Sequence, residues 1–263
     1  MKDKDKINRR VERKQYIFAL RQLVTREVKR KYARSYLGIV WSVLNPLLFM
    51  AVMSMIFSTI FKHNIKNFPI YYLTGLIMWQ LFSSATSSAM SALVDNRSLL
   101  LRVKLSKQTF VLSRMYAALV NFLYTCIAYV LMLILFKIEP SFYMLLFPIP
   151  LFFMMLFSMG IGYILSIVYV FFPDIQHLYS VILTLWMYVS ALFYPVDNLT
   201  PIMKAVVENN PIYAYVAFVR DIVMYAKLPE PLVWLRAVGW GLLVFIAGYC
   251  VFKRYDNKVM EKV

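Results

Sequence analysis

The chain has 263 residues, of which 61% are hydrophobic and 17% aromatic, and a formal net charge of +16 from 29 Lys and Arg against 13 Asp and Glu. A soluble domain of this size has no use for so much apolar sequence, and the positive charge comes without any nucleic-acid module or basic-aromatic strand pattern. What remains is a polytopic membrane protein, whose spans the bilayer forces into helices because backbone polar groups in lipid must be satisfied within the segment.

In chain order, the first predicted element is a basic amphipathic helix over residues 13–35. Ile17, Leu20, Val24, Val28 and Tyr32 recur at three- and four-residue steps and share one helical face. Basic residues, among them Arg26 and Arg30, fill much of the rest. A helix of this kind beside a span lies in the interface against anionic headgroups and is placed to dock a cytoplasmic partner. Residues 1–36 therefore read as a cytoplasmic segment. The first twelve are too polar for a signal peptide.

Six apolar stretches follow, at 37–61, 69–94, 110–136, 142–172, 175–194 and 232–252. Each matches the roughly 20 residues a helix needs to cross the hydrocarbon core. Their formal charges are Arg114 and Arg236, with His177 near one end. The expected fold class is all-α integral membrane, with a six-helix transmembrane domain over 37–252 and a cytoplasmic tail over 253–263. Asn45-Pro46 interrupts the hydrogen bonding of the first span. Gln80, Ser83, Ser84, Thr86, Ser87 and Ser88 make the second span polar, for helix packing or for a water-filled cavity.

The link 95–109 runs polar, apolar, then basic. Leu99, Leu100 and Leu101 are more apolar than a solvated loop needs, so with Arg102 and Lys104 they are candidate contacts to the membrane or to a partner protein. The link 195–231 is also rich in apolar residues. Asn209-Asn210-Pro211 cuts it into pieces near 201–208 and 213–226, too short to span and therefore re-entrant or interfacial. Most of the basic residues lie in 1–36, 95–114 and 253–263. The positive-inside rule then places both termini in the cytoplasm and 195–231 outside.

Some chemistry is absent. None of the seven glycines is followed by lysine, so there is no phosphate-binding loop for ATP. The spans hold no carboxylate pair for a proton- or sodium-coupled carrier. Cys126 and Cys250 read as packing residues, and His63 and His177 are isolated, so no metal site and no catalytic constellation are expected. Aromatic residues are abundant, with 20 Phe, 19 Tyr and 5 Trp. Some form interfacial belts. Trp41, Tyr72 and Trp79 early in the chain, and Trp186, Tyr188, Phe193 and Tyr194 in the fifth stretch, are candidates to line a substrate pathway, because aromatic faces suit the C–H faces of sugar rings.

The order of these features resembles a known family. The sequence KRKYARSYLGIVWSVLNPLL at 29–48 is similar to the opening of the membrane permeases of ATP-binding-cassette exporters of O-antigen, capsule or teichoic-acid polymers. The matching residues are Lys31, Tyr32, Ser35, Leu37, Gly38, Trp41, Leu44, Pro46 and Leu47. YYLTGLIMWQLFSSA at 71–85 resembles that family's second span, and DNRSLLLRVKLSK at 95–107 its cytoplasmic coupling segment. ALFYPVDNL at 191–199 and NNPIYAYVAFVRD at 209–221 resemble its external region. One departure is Phe172-Pro173-Asp174, where the family often has Phe-Arg-Asp.

The resemblance implies a transporter permease without enzymatic activity of its own, in a bacterial or archaeal inner membrane. It implies a homodimer with two copies of a separate ATPase subunit that carries ATP and Mg, and a lipid-linked glycan as cargo. Arg26, Arg30, Leu99, Leu100, Leu101, Arg102 and Lys104 become the expected ATPase-coupling residues. A drug or lipid exporter permease of the same superfamily, and a non-transporting membrane scaffold, are the alternatives.

Overall fold

The computed structural model describes residues 2–32, 37–60, 65, 67–103 and 105–262, and the backbone alone at 2–13, 58–60, 260 and 261. Eleven α-helices occur among these residues: α1 (Lys2–Tyr32), α2 (Val40–Ile60), α3 (Phe68–Met90), α4 (Ala92–Asp95), α5 (Arg97–Arg102), α6 (Lys107–Leu135), α7 (Pro148–Phe171), α8 (Ile175–Val189), α9 (Pro201–Glu208), α10 (Pro211–Val223) and α11 (Pro231–Lys262). Two 3₁₀ turns, Phe142–Leu146 and Val196–Asn198, complete the set.

Four segments are long and apolar enough to cross a membrane: Val40–Phe57, Lys107–Leu135, Phe142–Phe171 and Pro231–Val259. The remaining two expected spans differ from these. α3 has 23 residues, enough for about 35 Å at 1.5 Å per residue, but its hydroxyl and amide side chains lower its hydropathy. α8 has 15 residues, only about 22 Å as helix, short of a core of about 30 Å.

Helix boundaries move for identifiable reasons. The stretch 69–94 stops being one helix at Met90. Just before it, Thr86 and Ser88 hydroxyls donate back to the carbonyls of Phe82 (2.9 Å) and Ser84 (2.6 Å), bonds that compete with the helical ladder. Residues 142–146 form a 3₁₀ turn, and α7 starts at Pro148, where the missing N–H costs nothing. The stretch 175–194 leaves the helix after Val189, where Ala191 takes φ 48° and reverses the chain. The last stretch has no break at 252. α11 runs on through the expected tail, because Phe252 and Val259 are buried and hold it to the bundle.

The inward face of α1 includes Leu23 and Glu27, while Tyr16, Ile17 and Phe18 are exposed. The stripe predicted from the sequence thus holds at its C-terminal half and fails at Ile17. One apolar cluster gathers Leu23, Leu93, Leu100, Phe110, Phe252 and Val259, and so ties α1, α4, α5, α6 and α11 at the end of the molecule that carries both termini. A larger one, including Leu73, Ile77, Phe82, Phe157, Tyr215 and Phe218, fills the middle and the opposite end. α7 and α11 approach backbone to backbone. A Cβ on Gly160 would lie 2.2 Å from the Val244 carbonyl oxygen, and one on Gly248 would lie 2.1 Å from that of Gly160. Only small residues allow such a crossing.

Candidate functional site

At the terminal end, α1 is fastened to the bundle by ions. Arg114 on α6 sits with its Nη1 2.6 Å from Glu27 Oε2 and its Nη2 2.7 Å from Asp95 Oδ2. The Glu27 side chain is 3% exposed and that of Arg114 8%. Burying either charge alone would cost several kcal/mol, so the two hold one another in place. Arg26 donates to Glu27 (2.8 Å) and to the Asn96 side-chain oxygen, and Asn96 in turn donates to the Ala92 carbonyl (2.7 Å). Arg30 lies 3.7 Å from both Glu27 and Asp95. Nearby, Lys107 Nζ contacts Asp256 Oδ1 at 2.8 Å and joins the start of α6 to the end of α11. The guanidinium of Arg114 thus joins α6 to both α1 and α4.

Beside this hub, two polar hollows of about 450 and 300 Å³ share Lys31, Ser84, Ala118 and Asn121. The larger also takes in Trp41, Asn45, Pro46, Gln80, Ser83 and Ser87. Part of the serine-rich face of α3 thus lines a hollow between helices. Burial lowers the pKa of Lys31 beside it.

At the opposite end the chain is tied by a second arginine. Arg220 on α10 donates from Nη1 to the Ala191 carbonyl (3.0 Å), and from Nη2 to those of Leu192 (3.0 Å) and Tyr71 (3.2 Å). Its guanidinium carbon lies 3.4 Å from the centroid of the Tyr71 ring. Asn210 caps α10 by accepting from the Ile212 N–H (3.0 Å) and from the Trp186 indole (2.9 Å). Its amide donates to the Val189 carbonyl and the Ser190 hydroxyl, each at 3.1 Å. Here lies a cavity of about 730 Å³ lined by α9, α10 and the start of α11. Burial raises the Asp221 pKa against the pull of Lys227, 3.2 Å away.

The structure separates the candidate pathway residues. Trp41 and Tyr188 are exposed, at 48% and 53%. Tyr72 and Trp79 are buried: Tyr72 stacks on Phe68 with centroids 6.4 Å apart, and Trp79 packs on Phe82 at 5.7 Å. Trp186 is held by its bond to Asn210 and packs on Phe82 and Phe157. Phe193 packs against Phe57, Tyr188 and Tyr194, and the Tyr194 hydroxyl donates to the Tyr188 carbonyl (2.6 Å). Within one copy of the chain, Tyr72 and Trp79 are buried among neighbouring side chains, while Trp186 is half-buried.

Among the coupling candidates, Arg26 and Arg30 belong to the Arg114 hub. Leu100 is 6% exposed and buried with Leu23 and Phe110, so it faces this chain and not a partner. Leu101 is 58% exposed, Arg102 lies beside it and is also exposed, and Leu99 is intermediate. Lys104 lies outside the described residues. Arg114 and Arg220 organise the two ends without being among the candidate residues read from the sequence. The signal was available for the first, since an arginine in an apolar stretch demands a carboxylate partner.

Among the described residues no three His, Cys, Asp or Glu converge on a possible metal position. The apolar helices, the buried ionic hub and the polar hollows between helices define a helical multi-pass membrane protein. The chain belongs to the ABC-2 type transporter family, whose model matches residues 19–224. It is 32% identical to the O-antigen export system permease protein RfbA of Myxococcus xanthus, over 87% of this chain and 90% of that protein. To RfbA of Klebsiella pneumoniae it is 25% identical, over 94% and 95%. To the polysialic acid transport protein KpsM of Escherichia coli it is 22% identical, over 90% and 93%.

Proposed function

We propose that the chain is the permease subunit of an ATP-driven exporter that carries a lipid-linked polysaccharide, of O-antigen or capsule type, out of the cytoplasm. The observation that carries this is full-length similarity to export permeases of such polymers within the ABC-2 family. It favours this reading over a drug or lipid exporter and over a scaffold. In this reading the chain is not an enzyme and binds no cofactor of its own. ATP and Mg belong to a separate ATPase, present as two copies on the cytoplasmic face.

The terminal end is then cytoplasmic and the Arg220 end external. α3 and α8 complete six spans, with α8 crossing with help from the turn that follows it, and α9 and α10 are external re-entrant helices. The working unit is a homodimer. Two observations support it: the hollows of one copy are small for a polymer, and α2 and α8 are the most exposed of the apolar helices, α8 burying only Tyr179. Trp41 on α2 and Tyr188 on α8 would face the seam between copies, where their rings offer sugars a surface without a fixed charge. ATP binding closes the ATPase pair. The movement enters through α1, Leu101 and Arg102, and the Arg114 hub passes it to α6.

Deletion of the gene tests the reading. Surface polysaccharide should disappear while polymer accumulates inside the cell, and a plasmid copy should restore it. An ATPase subunit should copurify in detergent. Unchanged surface polymer with altered efflux of a small hydrophobic compound would support the drug-exporter alternative instead.

A further inference from the structure

The cavity beside Arg220 is lined by many charges, and the described cations among them are already engaged. Lys204 lies 3.1 Å from Asp197 and 3.9 Å from Glu208. Arg236 lies 3.8 Å from Glu208, and Lys227 3.2 Å from Asp221. Arg220 gives both Nη groups to three backbone carbonyls and lies against the Tyr71 face, and its unpartnered Nε is fully buried. Among the described lining residues, the Glu230 carboxylate and the hydroxyls of Tyr213 and Tyr225 make no side-chain hydrogen bond or ion pair. Tyr225 is 53% exposed.

A site for a polyanion needs cations or N–H donors that are still free, because charge-assisted bonds to phosphate or carboxylate supply its affinity. The described lining of this cavity carries four cations against four carboxylates, so it presents no net positive charge to a polyanion. Among the described lining residues the free groups are one carboxylate, which accepts from hydroxyls, and two phenols, which both donate and accept; the exposed Tyr225 ring, with Lys227 Nζ 5.8 Å from its centre, keeps a face for apolar C–H surfaces. That set suits a polyhydroxylated, uncharged ligand. Its volume of about 730 Å³ lies within the 300–1,000 Å³ range of ordinary small-ligand sites.

We propose that this cavity binds uncharged sugar residues of the glycan at the outer mouth of the pathway, and that the exported polymer is a neutral glycan. The inference rests on the exporter reading and on its orientation. Sugar hydroxyls donate to Glu230, exchange hydrogen bonds with Tyr213 and Tyr225, and the ring of Tyr225 packs on a sugar face. Binding there holds the emerging chain between power strokes.

The test uses the full chain with its ATPase in the native host. Tyr225→p-benzoylphenylalanine is irradiated during export, and the protein is probed for attached carbohydrate. The expected result is a ladder of glycan-bearing protein that needs ATP hydrolysis and is absent when the photoreactive group replaces the exposed Leu235. Glu230→Ala and Tyr213→Ala should each weaken the ladder about tenfold, the effect of one lost hydrogen bond to a charged or aromatic partner. Acid hydrolysis of the captured glycan should release neutral sugars only. Absence of a ladder in cells that display normal surface polymer overturns the site and leaves the exporter reading intact. A captured glycan with sialic acid, uronic acid or phosphate in each repeat overturns the neutral class. Failure of the exporter reading shows separately, as unchanged surface polysaccharide in the deletion strain.

Discussion

Two buried arginines hold the two ends of this molecule, and they are satisfied in different ways. Arg114 is paired with carboxylates from two other elements, Glu27 of α1 and Asp95 of α4. Arg220 meets no carboxylate among the described residues; three carbonyls and an aromatic ring surround it. Side-chain ion pairs can part and re-form as helices shift, because each partner carries its own rotamers and Arg26 and Arg30 stand by to share Glu27. Backbone carbonyls in a turn cannot swing away. The terminal end is thus held by pairs that can re-form, and the opposite end by bonds that keep the 190–194 turn fixed against α3 and α10.

The largest expected effect breaks the rigid end. Arg220→Ala leaves three carbonyls without their donor, at about 1–3 kcal/mol each, so a loss on the order of 4 kcal/mol should appear as a sharp fall in thermal stability in detergent. Arg220→Lys should recover little, since an ammonium cannot reproduce the planar fork. A retained melting temperature in Arg220→Ala would refute the clamp.

Next, Leu100 and Leu101 sharpen the terminal end. Leu100→Asp buries a carboxylate among Leu23 and Phe110 and should cost about 3 kcal/mol. Leu101→Asp, at an exposed position, should change stability by less than about 0.5 kcal/mol and still abolish export. Normal polymer export by a stable Leu101→Asp protein would remove that side chain from the ATPase contact.

Glu27→Gln should cost about 2 kcal/mol, because Arg114 keeps Asp95. A double-mutant cycle with Arg114→Gln should show coupling of about 1.5–3 kcal/mol, and a value near zero would mean that α1 docks by its apolar face alone. The smallest effect belongs to Lys204→Ala, whose partner Asp197 is 89% exposed. Exposed pairs contribute under about 1 kcal/mol, and its melting curve should overlay the parent's.

Much of this architecture was legible in the sequence because membrane helices announce themselves by length and apolarity. α2, α6, α7 and α11 all fall on expected stretches. The break at Asn209-Asn210-Pro211 placed α9 and α10, since proline starts a helix as readily as it stops one. What escaped were features set by tertiary contact. Nothing local distinguishes Leu100 from Leu101, yet one is buried and the other is not. Tyr72 and Trp79 carry side chains that suit sugars, but their burial depends on which face of α3 meets α6, α7 and α10. Arg220 sits in a short amphipathic piece where any charge reads as solvated. Its role arises from a turn formed 29 residues earlier.

The unbroken length of α11 has a mechanical meaning. At 1.5 Å per residue its 32 residues extend about 48 Å, a strut reaching from beside the Arg236–Glu208 contact to Asp256 at the far side. α11 presses closest on the backbone of α7 at Gly248 and Gly160, a point that would serve the strut as a fulcrum serves a beam. From this point Asp256 is about 12 Å away and Arg236 about 18 Å in the other direction. A sideways displacement of 256 by about 2 Å would therefore swing 236 by about 3 Å the opposite way. Such a beam would open the vestibule beside Glu208 as its Asp256 end closes, with no chain of side-chain relays between them.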